Sequence, residues 1–138
     1  MDAKVTWKSG MSFSGSADSG VAVPIDTSVD HGGNGTGASP MEMVLMGLGG
    51  CSGMDVVSIL EKKRQQVTAF EILLHGDRAE DHPKVFTKIT VEYVITGHNI
   101  DPQAADRAVE LSTTKYCSVM GMLRKAAEIE IKVTVKEA

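Results

Sequence analysis

Two cysteines, Cys51 and Cys117, stand 66 residues apart and are the side chains of this sequence best suited to chemistry of their own. A thiolate is both a nucleophile and a reductant, and two thiols in reach of each other can cycle between dithiol and disulfide. Cys51 lies in "GLGGCSGMD", residues 47–55, with glycines at 47, 49, 50 and 53. Each interior glycine costs a helix roughly 1 kcal/mol relative to alanine, about 3–4 kcal/mol over the four. Two readings account for that cost. The glycines either permit tight helix packing around a small buried cysteine, or they leave space for a reactant beside the sulfur.

Electrostatics separates the two thiols. The favourable end of the Cys51 helix lies about three turns away, and its influence fades within the first turn. Asp55, one turn beyond on the same face, opposes ionisation of Cys51. A reactive Cys51 therefore requires a cation from another part of the chain or from another subunit. Cys117 stands where a helix restarts after "STTKY", so first-turn N–H groups are expected to make it the more acidic thiol. Other chemistries find less support. The histidines at 31, 75, 82 and 98 show no ligand spacing and the cysteines no C-x-x-C, which argues against a metal. "GGNGTG" lacks the lysine of a phosphate loop, and "HGG" comes without the G-x-S-x-G of a serine hydrolase.

The elements that must position these thiols are legible in outline. At 138 residues, 42% apolar and with a net charge of −4, the chain has the size and balance of one globular domain, 1–138. No basic cluster beyond "EKKRQQ" invites nucleic acid or an anionic membrane. The polar N-terminus offers no apolar leader, and only 12 uncharged residues separate Glu42 from Asp55, so a cytoplasmic protein is expected. "KVTW", "MSFSG" and "VAVPID" predict a short meander, and the glycine-rich 26–39 predicts a flexible loop. Ser39-Pro40-Met41-Glu42 is a capping box opening a helix that runs to Leu60 and is apolar nearly all round, hence buried on nearly all sides.

Two strands follow, "TAFEILLHGDR" and "KVFTKITVEYVIT", the second with Val85, Ile89, Val91, Tyr93 and Ile95 on one face. A helix capped by Asp101-Pro102 falters at "STTKY" and resumes from Cys117 through Ala127. The last strand, "EIEIKVTVKE", alternates and has one wet face. This order predicts an α+β domain with antiparallel sheet.

"GTGASPMEMVLMGLGGCSGMDVV", the two strands after it and "LSTTKYCSVMGML" together resemble the OsmC/Ohr superfamily of thiol-dependent peroxide reductases. "DRAEDHPKVFTKI" resembles its YhfA-like branch. The resemblance covers nearly the whole chain. It implies an intertwined homodimer in which long central helices cross between wrapped antiparallel sheets. It also implies a stress-protective reduction of organic hydroperoxides, with Cys51 as the peroxidatic and Cys117 as the resolving cysteine. No cofactor is implied beyond an external dithiol reductant.

Two departures from the family pattern stand out. Family peroxidases carry an arginine on the N-terminal strands, whereas the first arginine here is Arg64; Lys8, or Arg78 from further along, is the substitute cation. Glu42 stands one residue later than the family's helix-opening glutamate, as a catalytic or a capping residue. The methionines near the cysteines read as core, or as lining for lipid-like hydroperoxides. The rival function is a non-enzymatic redox sensor or small-molecule binder that lacks the activating arginine.

Overall fold

The computed structural model describes all 138 residues, which form two compact units, residues 1–44 and 45–138, with the boundary inside a helix. In the first unit β1 (Ala3–Ser9), β2 (Ser12–Ala17) and β3 (Val23–Ile25) form the expected antiparallel meander. Gly10 turns β1 into β2 at φ 52, a left-handed conformation that costs glycine little. The segment 26–39 is better organised than its composition predicts. Asp26, only 2% exposed, gathers the Thr36 hydroxyl at 2.6 Å and the N–H groups of Thr27, Asn34 and Thr36 at 2.7, 3.2 and 3.2 Å. One buried acceptor with four donors supplies the order that a bulky side chain would supply elsewhere.

Helix α1 spans Pro40–Lys62 and opens as the sequence predicts. Ser39 N–H donates to Glu42 Oε1 at 3.2 Å, and Glu42 N–H donates to Ser39 Oγ at 3.3 Å, the reciprocal pair of a capping box. The helix is not buried all round within one chain. Leu48, Ser52, Val56 and Leu60, each four residues apart, form one buried stripe, while Met46, Met54 and Val57 are 54%, 77% and 48% exposed. Its 23 residues, with an 18-residue window of mean hydropathy 1.7, are long and apolar enough to cross a bilayer, a length that the count of uncharged residues understated. The buried stripe of the helix contributes to the core of the second unit.

Strands β4 (Gln66–Arg78) and β5 (Phe86–His98) pair antiparallel over their full length. Ile89, Val91, Tyr93 and Ile95 are fully buried on one face of β5, whereas Val85 falls outside the strand and is 48% exposed. The sheet departs from the expected antiparallel arrangement. Strand β6 (Glu128–Glu137) pairs parallel to β5, because α2 (Pro102–Leu111), a π-turn (Ser112–Tyr116) and α3 (Ser118–Leu123) carry the chain back to the starting end of β5. The faltering of the helix at "STTKY" is this π-turn, and the resumed helix ends at Leu123 rather than Ala127. Asp101 caps α2 by accepting from Gln103 N–H at 3.0 Å.

Candidate functional site

Cys51 is half-buried in the middle of α1, and Cys117 is buried at 5% exposure; both are free thiols. Cys51 stands near enough to Cys117 to act on its thiol. A Cβ built on Gly47 or Gly50 meets nothing within 4 Å. Gly49 and Gly53 are the two that admit neighbours: a Cβ there would stand 2.8 Å from the terminal methyls of Leu74 and Ile72 on β4.

The expected acidity of Cys117 is also overturned. Its thiol is pushed up to about 11, first by burial, with the contact to Cys51 and the charge of Asp55 adding to the rise. The local signal was real: Cys117 caps α3, and its Sγ accepts the Met120 N–H at 3.3 Å, which pulls the other way. One N–H bond in a short helix does not outweigh desolvation. Cys117 therefore holds its proton more firmly than an ordinary cysteine.

Around the two cysteines lies a set of hydroxyls that the sequence reading did not single out. Ser52, beside Cys51, bonds Tyr93 Oη at 2.6 Å and Ser112 Oγ at 2.8 Å, all three residues being fully buried. Ser112 also donates to Asp55 Oδ2 at 2.9 Å. The Cys117 N–H donates to the Ser112 carbonyl at 2.8 Å, and Arg124 donates to the Thr113 carbonyl at 2.6 Å, tying the π-turn to α3. Serines and a tyrosine buried in an apolar stripe are the only sequence trace of this arrangement, and their partners are 41 and 60 residues apart.

The other sequence-predicted residues have definite places. Glu42 is engaged in the capping box, which holds its carboxyl below the usual carboxylate range through the Ser39 hydroxyl and N–H. Lys8 is exposed on β1. Arg78 closes β4, four residues past the Leu74 that packs on Gly49, and its Nε donates to the Lys84 carbonyl at 2.9 Å. Along α1 and β4 runs an open groove of ≈ 700 Å³ lined by Met46, Gly50, Met54, Val57, Phe70 and Ile72 among others. Cys51 is not among its lining residues. No three His, Cys, Asp or Glu side chains converge as a metal site would require.

Comparison with known proteins bears on the whole chain. The sequence model of the family described as OsmC-like protein matches residues 32–132. Protein YhfA of Escherichia coli K12 is 47% identical over 130 residues, covering 94% of this chain and 93% of its own. A crystal structure of a hypothetical protein from Aquifex aeolicus superposes with a TM-score of 0.87 at 35% identity, over 99% of this chain and 96% of that one. An organic hydroperoxide resistance protein OsmC from Legionella pneumophila shares the fold at a TM-score of 0.71 and 15% identity, over 96% and 95% of the two chains.

Proposed function

Because this chain belongs to the OsmC-like family and is similar to its YhfA-like branch, we propose that it reduces organic hydroperoxides with Cys51 and Cys117 as a two-cysteine pair. The observation that carries the reading is that Ser112 ties the two free cysteines to one place, bonding Ser52, next to Cys51, at 2.8 Å and accepting the Cys117 N–H at 2.8 Å. In the proposed cycle the Cys51 thiolate attacks the O–O bond of ROOH. Its sulfur becomes a sulfenic acid, and the departing alkoxide takes the former thiol proton and leaves as ROH. Cys117 then attacks the Cys51 sulfur, forming the disulfide, while its own proton leaves with the displaced hydroxide as water. An external dithiol reduces the disulfide, becoming a disulfide itself. No bound cofactor enters the cycle.

The raised Cys117 thiol suits the second role, since it stays protonated while Cys51 meets the oxidant. Lys8 and Arg78 are the proposed counter-charges for the Cys51 thiolate, each offered from either copy of a homodimer. Glu42 takes part by fixing the start of α1 through its cap. The homodimer is supported by the exposed apolar face of α1 and by Gly47 and Gly50, which carry the cost of helical glycine with no neighbour in their own chain. Interfaces built on such faces are large and apolar.

Cumene hydroperoxide consumption with a dithiol reductant tests the reading. Wild type is expected to turn over and Cys51→Ser to lose turnover entirely. Equal turnover in both would remove Cys51 as the nucleophile. No turnover in wild type would favour a redox-sensing or ligand-binding protein.

A further inference from the structure

Ser112 occupies a singular position between the two cysteines. Its carbonyl accepts the Cys117 N–H at 2.8 Å, and its hydroxyl bonds Ser52 Oγ at 2.8 Å and Asp55 Oδ2 at 2.9 Å. Ser52 directly follows Cys51, and Asp55 stands one turn further along α1. Ser112 therefore holds the Cys117 turn through its main chain and the Cys51 turn through its side chain.

The direction of the hydrogen bonds follows from what each group can do. A carboxylate only accepts, so the Ser112 hydroxyl donates to Asp55. With that proton committed, Ser52 donates to Ser112 Oγ, and Tyr93 donates to Ser52 Oγ at 2.6 Å. Three hydroxyls make three bonds in one direction, Tyr93 to Ser52 to Ser112 to Asp55, and no buried side-chain polar atom is left unpartnered. Burial pushes the Tyr93 phenol up, which keeps its proton in place at the head of the chain.

A π-turn has poor intrinsic hydrogen bonding and persists only where its surroundings impose it. Here the turn "STTKY" opens with three weak helix formers, Ser112, Thr113 and Thr114, and ends directly before Cys117. A disulfide tolerates Cα separations of only about 4.4–6.8 Å, so a slip of the turn by a single residue would forbid the bond. We infer that Ser112 is a positioning residue for the thiol pair: the Tyr93–Ser52–Ser112–Asp55 hydroxyl chain locks the π-turn in the register that lets Cys117 bond Cys51.

This inference rests on the two cysteines acting as a redox pair, and its test uses no hydroperoxide. Equilibration of the full chain in glutathione buffers reads the [GSH]²/[GSSG] ratio at which half of the Cys51–Cys117 disulfide has formed. Glutathione disulfide is the oxidant, and it leaves as two glutathione thiols. Ser112→Ala is expected to lower that ratio at least tenfold. Ser52→Ala, which spares the Ser112–Asp55 bond, is expected to lower it less, and it serves if Ser112→Ala does not fold. Tyr93→Phe removes only the far end and is expected to stay within twofold. Ile89→Val, a buried β5 change away from the chain, controls for lost stability and is also expected within twofold. Two results overturn the inference: a Ser112→Ala ratio within twofold of wild type, or an Ile89→Val fall as large as that of Ser112→Ala. A wild type that stays reduced at every ratio overturns it as well. A wild type that forms the disulfide yet consumes no hydroperoxide removes the peroxidase proposal and leaves the Ser112 inference standing.

Discussion

Cys117 illustrates how desolvation and a single hydrogen bond compete at one atom. The Met120 N–H lowers its pKa, but burial, helped by Cys51 and Asp55, carries it to about 11. Cys51→Ser removes one of the contributions that raise it. Iodoacetamide labelling of Cys117 should then reach half its maximal rate at lower pH than in wild type, though still above free cysteine, because burial is the largest cause. An unchanged midpoint, read by mass spectrometry of the Cys117 peptide, would show that Cys51 contributes nothing to the rise.

Asp26 gives a second residue-scale test with a definite sign. The Thr36 hydroxyl, followed by the Thr27 N–H, holds its carboxyl at about 2, below its ordinary value. A group depressed in the folded state stabilises above its unfolded pKa and loses that contribution as pH falls through the folded one. Urea midpoints of wild type and Asp26→Asn should differ most above about pH 4, where an unfolded aspartate is ionised, and converge near pH 2. Curves that stay parallel across that range would contradict the assignment.

At the scale of elements, α1 is set at its start by two side chains. Ser39→Ala removes the acceptor for the Glu42 N–H, and a lost cap of this kind costs about 1 kcal/mol. Glu42→Gln keeps an oxygen facing the Ser39 N–H, so denaturation is expected to show a loss of no more than about 0.5 kcal/mol, the range of a tolerated surface change. Peroxide turnover in Glu42→Gln should stay within twofold. A tenfold fall at unchanged stability would instead return Glu42 to the catalytic set. β4 and β6 are both edges paired only to β5, and neither has a fully buried residue, whereas β5 between them carries the buried face.

For the whole molecule, the decisive property is the apolar surface that one chain leaves uncovered along α1. Met46, Met54 and Val57 on α1 are 54%, 77% and 48% exposed, and Gly50 among them has open space beside it. Gly50→Ala discriminates between a solitary chain and an assembled one. In a solitary chain the added methyl meets nothing and gains helix propensity of about 0.5–1 kcal/mol. In the proposed homodimer it fills the space of the partner, so sedimentation at micromolar concentration should show dissociation into monomers. A dimer of undiminished affinity would place the interface elsewhere, and a wild type that sediments as a stable monomer would remove the dimer altogether.

The sequence by itself determined the elements, their caps and the two cysteines. Periodicity, Ser39-Pro40-Met41-Glu42 and Asp101-Pro102 act within a few residues, so their signal is local and survives without neighbours. Even the break at "STTKY" was visible, because serine and threonine interrupt a helix wherever they cluster. Only the tertiary structure decided that β6 runs parallel to β5, since strand direction depends on where the crossover delivers the chain. It alone decided that Asp26 orders its loop and that Cys117 is the less acidic thiol than its helix position suggested, because burial is a property of everything that packs around an atom. The hydroxyl chain was hidden for the same reason: Ser52, Tyr93 and Ser112 are unremarked polar residues until packing across 41 and 60 residues makes each the partner of the next.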